Sequence, residues 1–220
     1  MSIIKRGQVG DFNGKIGQVV ISQWRGLTVG KSTPKASTKE PTLKQLNQRS
    51  KFGLVTMFYG NVSEFISIGH ESDNTGPTAI NLAVRNGLKN AIIGVYPNYA
   101  LDYSKLPITG LKVKNEIDGG YQTSLVPLAQ GELEISWTME NPPLNPISKP
   151  TDLATFVFYS PVKEKFVIAR GAATRAMLKY TIQLPRPYIG DTMYGWMFFL
   201  SEDKTYVSTS DHLGTFKPIA

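Results

Sequence analysis

The stretches LATFVFYS (153–160) and MYGWMFFLS (193–201) are rich in aromatic and β-branched residues, which favour β-strands. Similar short runs follow one another from about residue 104, separated by Gly, Pro, Asn and Asp. They are LPITGLKV (106–113), YQTSLVPL (121–128), LEISWTM (133–139), KFVIAR (165–170), MLKYTIQL (177–184) and TYVSTSDHL (205–213). Seven or eight strands in about 110 residues predict a small antiparallel β-sandwich.

The order of these runs resembles that of a fibronectin type III domain. The strand candidate LEISWT carries a tryptophan near its end, and the Pro-rich loop ENPPLNPISKP follows it. Further on, YTIQLPRPYIGDTMYGWMFF leads to a Ser-rich end strand. The resemblance covers about residues 104–220. It implies an immunoglobulin-like sandwich in which Trp137 is the core tryptophan and Tyr194 is the tyrosine at a strand corner.

Two helices are predicted in the region 41–103. Apolar residues recur at three- and four-residue steps over 41–69, which is the spacing of an amphipathic helix, and Gly53 and Gly60 are points where this helix can bend. A second helix is predicted over 76–94, with Gly94 as its end.

The first 53 residues carry most of the positive charge. They hold ten basic and two acidic side chains, a net charge of +8, whereas the whole chain has +7, so the remaining residues sum to −1. Residues 1–40 are also rich in Gly, Ser and Thr, with one strand candidate, GQVVISQW (17–24). The predicted fold is therefore α+β: an extended basic arm with a small hairpin (1–40), a helical region (41–103) and a sandwich (104–220).

The cations and aromatic side chains of this arm are the predicted partner-binding residues. They are Lys5, Arg6, Phe12, Lys15, Trp24, Arg25, Lys31, Lys35 and Lys39. Aromatic rings can stack on bases while cations hold phosphates, so nucleic acid is one possible partner. An acidic protein surface would match the same charge, and a solvated arm without a partner stays open as well. No segment reaches the about 18 apolar residues of a membrane span, so no membrane is expected as a partner.

The stretch GLTVGKSTP (26–34) is similar at first sight to a phosphate-binding loop. Such a loop has four residues between its first glycine and its Gly-Lys pair, and it opens a helix. Here Gly26 and Gly30 enclose three residues, and STPKASTKEP with its two prolines follows. The stretch therefore predicts a β-turn with a basic tail, and no nucleotide cofactor.

Other candidates for catalysis also have structural interpretations. The chain has no cysteine and two histidines, which excludes thiolate chemistry and Cys-ligated metals. Neither His70 nor His212 has a recognisable nucleophile beside it, and Glu132 and Glu134 fall on the predicted solvent side of a strand. Glu202 and Asp203 fall in a predicted turn. No catalytic residue, cofactor or metal is therefore predicted, and the chain is not expected to be an enzyme.

A second resemblance covers nearly the whole chain. GKIGQVVISQWRG (14–26), QLNQRSKF (45–52), TAINLAVRNGLKNAIIGVYPNYALDYSKL (78–106) and SDHLGTF (210–216) resemble one family of proteins of about this size from Bacteroidota and their phages. The motifs are GK-x-G-x-VV…WRG and Q-x-x-QR-x-x-F. This family has no established activity, so the resemblance implies no catalytic residues.

These observations favour a non-enzymatic structural subunit of a phage virion, in a ring, a collar or a tail-associated position. Such a subunit is made in the host cytoplasm and would assemble with its own copies and other virion proteins through its arm. One alternative is a bacterial cytoplasmic binding module whose basic front contacts nucleic acid or an acidic partner. Another is a surface-carbohydrate binder that uses exposed aromatic residues such as Tyr121 or Tyr206.

Overall fold

The computed structural model of the chain describes six stretches, and these form two compact units. The stretches are 2–4, 13–24, 26–36, 38–69, 76–110 and 116–220. The first unit comprises the described residues up to Leu46 together with 76–78. The second comprises 47–69, 79–110 and 116–220.

The first unit contains a four-stranded antiparallel sheet. Its strands are β1 (Ser2–Ile4), β2 (Gly14–Ile16), β3 (Val19–Trp24) and β4 (Leu27–Ser32), in the order β1-β4-β3-β2. The extended arm with one small hairpin was therefore a wrong prediction, because the chain reverses twice within a few residues. Gly17 (φ +58°) and Gly26 (φ +77°) supply the left-handed backbone that two-residue hairpin turns require.

Three helices and a small hairpin follow along the chain. They are α1 (Leu43–Gly60), α2 (Ser63–Gly69), α3 (Ala79–Asn90), β5 (Ile92–Val95) and β6 (Asn98–Leu101). α1 begins with a capping box, in which the Thr42 backbone N–H donates to Gln45 Oε1 (2.9 Å) and the Gln45 N–H donates to Thr42 Oγ1 (3.4 Å).

Both predicted helix boundaries need correction. The helix predicted over 41–69 is interrupted after Gly60, one of the two positions expected to bend, so two helices occupy this range. The expectation for Gly53 is wrong, because α1 continues through it. The helix predicted over 76–94 ends at Asn90, and the β-branched residues after it form β5 instead, so Gly94 lies within a strand. Pairing with β6 therefore wins over continuation of the helix.

Seven further strands form two antiparallel sheets, so the fold is a mixed α+β fold with a β-sandwich. The strands are β7 (Tyr121–Pro127), β8 (Glu132–Thr138), β9 (Leu153–Ser160), β10 (Lys165–Thr174), β11 (Lys179–Gln183), β12 (Met193–Leu200) and β13 (Asp211–Phe216). One sheet has the order β11-β8-β7 and the other has the order β10-β9-β12-β13. Most strands lie where the sequence predicts them.

Two predicted strands are wrong in part. Residues 106–110 form no strand, and 111–113 lie outside the described residues. The last strand begins at Asp211 and not at Thr205. Serine side chains contribute bonds in both places: the Ile108 N–H donates to Ser210 Oγ (2.9 Å), and the Phe199 N–H donates to Ser208 Oγ (2.9 Å). Before β13, Val207 forms isolated bridges with Glu116 and Leu200.

The space between the two sheets holds one hydrophobic core. Trp137 is 2 % exposed there, which confirms it as the core tryptophan, and its indole N–H donates to the Arg175 carbonyl oxygen (2.9 Å). Its ring packs against Phe156 of β9 and Phe199 of β12, with centroids 5.9 and 6.0 Å away. The tryptophan therefore joins both sheets.

A second core lies on the outer face of the β10-β9-β12-β13 sheet, where the helices pack. Phe58 of α1 contacts Tyr159 of β9 and Trp196 of β12, with ring centroids 5.3 and 5.7 Å apart. Tyr194 also lies on this face, where its ring is 4.4 Å from that of Tyr103. Tyr194 therefore lies near the start of β12 on its helix-covered side, and its role as a corner tyrosine stays a prediction.

A candidate partner-binding surface on the N-terminal sheet

Two of the predicted partner-binding lysines lie on one face of the N-terminal sheet. Lys15 of β2 and Lys31 of β4 are both in register with Val20 of β3, one on each side. Residues directly opposite each other in an antiparallel pair share a face, and neighbouring strands are about 4.8 Å apart. The two lysines therefore flank Val20 at about 10 Å from each other, and both are exposed.

Trp24 shares this face with the two lysines. Side chains alternate along a strand, so Val20, Ser22 and Trp24 of β3 point to the same side. Trp24 lies about 13 Å along the strand from Val20 and is 45 % exposed. The structure thus brings an aromatic ring and two cations together on one surface, which we call the basic face (Lys15, Val20, Trp24, Lys31).

Of the remaining predicted residues, two add positive charge after β4 and four lie outside the described residues. Lys35 and Lys39 are exposed and follow β4 in a segment without helix or strand. Within the described part of the chain, Lys15, Lys31 and Lys35 have no carboxylate partner. The other four predicted residues, Lys5, Arg6, Phe12 and Arg25, lie outside the described residues.

The opposite face of the same sheet carries two exposed apolar side chains. Ile16 and Val19 lie opposite each other in register and are 56 % and 44 % exposed. Among the apolar side chains described in this unit, Val29 alone is buried. The sheet is therefore a single layer that buries little apolar surface within its own unit.

The stretch considered as a phosphate-binding loop is a strand. Leu27–Ser32 forms β4, so Gly30 and Lys31 lie within the sheet and not in a loop that opens a helix. The prediction of a β-turn with a basic tail is correct only for Gly26, which lies in the turn before β4. The peptide groups of Leu27–Ser32 therefore pair with neighbouring strands, which is not the geometry of a phosphate cradle.

The carboxylates considered for catalysis serve as structural partners. Glu134 points away from the sandwich core, and its carboxylate lies 2.6 Å from the ammonium group of Lys179 on β11. Asp203 accepts from the Ser201 hydroxyl (2.5 Å) and from the Thr205 N–H (3.1 Å), and these bonds lower its pKa to about 2. The solvent-facing strand and the turn predicted from the sequence are thus confirmed.

Only one of the two histidines, His212, lies in the described part of the chain. His212 is half-buried on β13, where its ring lies 5.4 Å from Trp196 and 6.3 Å from Tyr194. Burial lowers the pKa of His212, against the opposing effect of the Asp102 charge. His70 lies outside the described residues. Those residues also contain no group of three or more His, Asp or Glu side chains suited to a metal ion.

Three surface cavities occur among the described residues of the second unit. A cavity of about 330 Å³ is lined by Tyr206, Glu202 and Asp203, and one of about 120 Å³ is lined by Tyr121. A third, of about 310 Å³, lies between α2 and the sheet. Both tyrosines are candidates from the sequence, but the third cavity is not predictable from it, because its walls are joined only by the tertiary fold. No helix in the described stretches is both long and apolar enough to cross a bilayer.

Comparison with known protein families gives a match over most of the chain. A model described as a family of unknown function (DUF6266) matches residues 11–214. No curated protein matches the chain. The fibronectin type III domain of the human collagen alpha-1(XX) chain is similar at 14 % identity and a TM-score of 0.32, covering 50 % of this chain and 93 % of that domain. The corresponding domain of human contactin 1 gives 10 % identity, a TM-score of 0.32, and coverage of 50 % and 91 %.

Proposed function

The chain belongs to the DUF6266 family, whose function is unknown, and we propose that it is a non-enzymatic structural protein that assembles through its N-terminal sheet. The observation that carries this proposal is the single-layer sheet itself. It exposes Ile16 and Val19 on one face and Trp24 with Lys15 and Lys31 on the other. A sheet of this kind gains stability when another surface covers it.

The exposed apolar side chains of the sheet allow an estimate of the free energy that a partner would gain by covering them. Full burial of an aliphatic side chain is worth about 1.5–3 kcal/mol, so covering Ile16, Val19 and Trp24, which are about half-exposed, contributes about 1 kcal/mol each. Association costs about 4–15 kcal/mol in lost translational and rotational freedom. Three side chains, divided between the two faces of the sheet, therefore do not suffice. We propose a partner surface that also carries negative charge, in an assembly whose repeated contacts raise the overall affinity.

We further propose a phage particle as the assembly, with the chain as a ring, collar or tail-associated subunit. The support is the motif GK-x-G-x-VV…WRG, which carries the resemblance to a phage-associated family and spans β2, β3 and the turn before β4. Copies of this chain and other virion proteins are then the partners. Terminase, portal and capsid genes beside the coding gene, and the chain in mass spectra of purified particles, are the expected observations. Purified particles that lack the chain would contradict this setting.

Reversal of charge on the basic face tests the assembly directly. The double variant Lys15→Glu and Lys31→Glu reverses two exposed charges and leaves the backbone pairing of the strands in place. The matched control Lys89→Glu and Lys165→Glu makes the same charge change on the second unit. In sedimentation velocity over a concentration series we expect oligomers for the wild type and the control, and monomers for the variant. Deletion of residues 1–36 should likewise leave a folded monomer.

Two results would contradict assembly through this sheet. One is a wild-type protein that stays monomeric over the whole series. The other is an oligomer that persists unchanged in the charge-reversed variant. Circular dichroism melts of each variant separate loss of assembly from loss of folding.

Nucleic-acid binding is a second candidate, favoured by the spacing of Lys15 and Lys31 with Trp24 on the same face. Cations of this kind hold phosphates and an aromatic ring stacks on a base. With three to five phosphate contacts on single-stranded DNA, log K should fall with log salt at a slope of about −2 to −3.5. A slope near zero on single-stranded DNA, or a Trp24→Ala variant that binds as the wild type does, would contradict it.

A carbohydrate-binding role is favoured by one cavity on the second unit. Tyr206 is half-buried and lines the cavity of about 330 Å³ together with Glu202 and Asp203. An aromatic face beside carboxylates can stack on a sugar ring and accept from its hydroxyl groups. Binding on a glycan array that is lost in Tyr206→Ala and retained in Tyr121→Ala is the expected result. An array without signal would contradict this role.

A further inference from the structure

The third cavity, of about 310 Å³, lies between α2 and the edge of the β10-β9-β12-β13 sheet, entirely within the second unit. We call it the edge groove. Its walls come from α2, from β9 and β10, and from the end of β12 with the turn that follows it. Neither the family match nor the proposed assembly assigns a role to it.

A bulge in the edge strand opens this groove. Ala169 pairs with Phe156 and Ala173 pairs with Ala154, so three residues of β10 lie opposite Thr155 alone. Gly171 within the bulge has a φ of +53°, and its N–H donates to Thr155 Oγ1 (3.2 Å) instead of to a strand carbonyl. Bulges re-aim side chains at sheet edges, and here the bulge places Arg170 at the mouth of the groove.

The floor of the groove is apolar. Phe65 and Leu200 are buried beneath it, and Leu153 is half-buried at its side. Ile68 forms one wall and remains 39 % exposed. An aliphatic group that entered here would cover surface that water now reaches, which is favourable in proportion to the area covered.

The rim carries one more cation than it has carboxylates. Arg170 forms an ion pair with Glu64, and its guanidinium lies 5.5 Å from the centre of the Phe65 ring. Lys204 has no carboxylate partner in the described part of the chain. The charges of Arg170, Lys204 and Glu64 sum to +1, which leaves room for one negative charge from a ligand.

A buried hydroxyl completes the set of polar groups. Thr155 is 1 % exposed, and its oxygen accepts from Gly171. A hydroxyl can donate as well as accept. Within the described residues, the Thr155 O–H has no acceptor. A ligand oxygen in the groove could accept this hydrogen.

We propose that the edge groove binds a small aliphatic carboxylate. The aliphatic part lies on Phe65, Ile68 and Leu200, and the carboxylate lies at the rim between Arg170 and Lys204. Such a group occurs in a free branched-chain carboxylic acid and in the aliphatic C-terminal residue of a peptide. Charge at the rim selects the carboxylate, and the apolar floor selects its chain.

Titration of the ¹⁵N-labelled full chain with 4-methylpentanoate tests this assignment. We expect saturable amide shifts at Ile68, Thr155 and Gly171, with an affinity in the millimolar range because the ligand is small. Lys204→Gln should weaken binding about fivefold, the effect of one partly exposed charge contact. The matched control Lys165→Gln changes the same charge at the far end of β10 and should bind as the wild type does.

Two further ligands identify the source of the carboxylate. 4-Methylpentanamide has the same chain without the charge and should bind more weakly than the acid. N-acetyl-glycyl-leucine presents the same group as a peptide C-terminus, so tighter binding of this peptide indicates a peptide source, and tighter binding of the acid indicates a free acid. The proposal is overturned if no shift saturates near the groove, if the amide binds as well as the acid, or if Ile68→Ala leaves the affinity unchanged.

Discussion

Replacement of Phe58 by alanine tests whether the helical layer and the sandwich unfold together. Phe58 is 2 % exposed and its ring lies within 5.3–5.7 Å of the rings of Tyr159, Phe166 and Trp196. Removal of a buried Phe side chain costs about 3–5 kcal/mol. With a urea dependence of about 2 kcal/mol per molar for a unit of this size, the unfolding midpoint should fall by about 1.5–2.5 M.

The assay compares two probes of the same unfolding reaction. Far-ultraviolet circular dichroism reports the helices. Tryptophan fluorescence in a Trp24→Phe background reports Trp137 and Trp196, which lie in the two cores of the second unit. Both midpoints should shift together, because β9 and β12 belong to both cores. Phe52→Ala, on an exposed side of the same helix, is the matched control and should cost less than about 1 kcal/mol.

One result would refute this reasoning. If Phe58→Ala lowered the dichroism midpoint and left the fluorescence midpoint in place, the sandwich would be stable without its helical layer. The predicted boundary between a helical region (41–103) and a sandwich (104–220) would then describe two folding units.

Three further perturbations test single contacts. Arg175→Met should destabilise the protein by about 3–5 kcal/mol in urea titrations, because it leaves the Asp152 carboxylate buried without its ion pair. Burial lowers the pKa of His212 in the folded protein, so as the pH falls the unfolded chain binds a proton at this imidazole before the folded protein does. Stability should therefore fall as the pH drops through about 6.5, and His212→Gln should remove this dependence of stability on pH. Gly69→Ala should lower the melting temperature, because a Cβ there would lie 2.5 Å from the Thr109 Cβ; an unchanged melt would show that the helix end can shift.

The strands of the sandwich could be predicted because local signals agree with the tertiary fold. Runs of β-branched and aromatic residues bounded by turn formers place most strands to within a few residues, and Trp137 was correctly assigned to the core. The helical layer over one sheet was not predicted. LATFVFYS and MYGWMFFL are apolar on nearly every residue, and nearly every residue of β9 and β12 is buried. Such unbroken runs are typical of strands covered on both faces, and this was the available signal.

The candidate sites divide in the same way. The clustering of basic residues near the N-terminus was visible in the sequence, but the pairing of Lys15 and Lys31 through Val20 depends on strand register, which no local pattern fixed. The edge groove was not predictable, since Glu64 and Arg170 are separated by 106 positions and meet only in the fold. The bulge that opens the groove depends on the pairing of β10 with β9.

The polar groups at one end of the sandwich are engaged with each other, in contrast to the lysines of the N-terminal sheet. The Arg175 guanidinium donates to Asp152 and to the carbonyl oxygens of Asp118 and Gly119, and the Asp118 carboxylate accepts from the Asn145 N–H. These bonds join three loops around a buried charge, so a change in any one of them leaves a polar group unpaired. If a partner required these loops to rearrange, its binding would be opposed by the free energy of unpairing these buried polar groups. Exposed lysines and half-exposed apolar side chains on the N-terminal sheet can meet a partner without breaking such bonds, which is why we place assembly there.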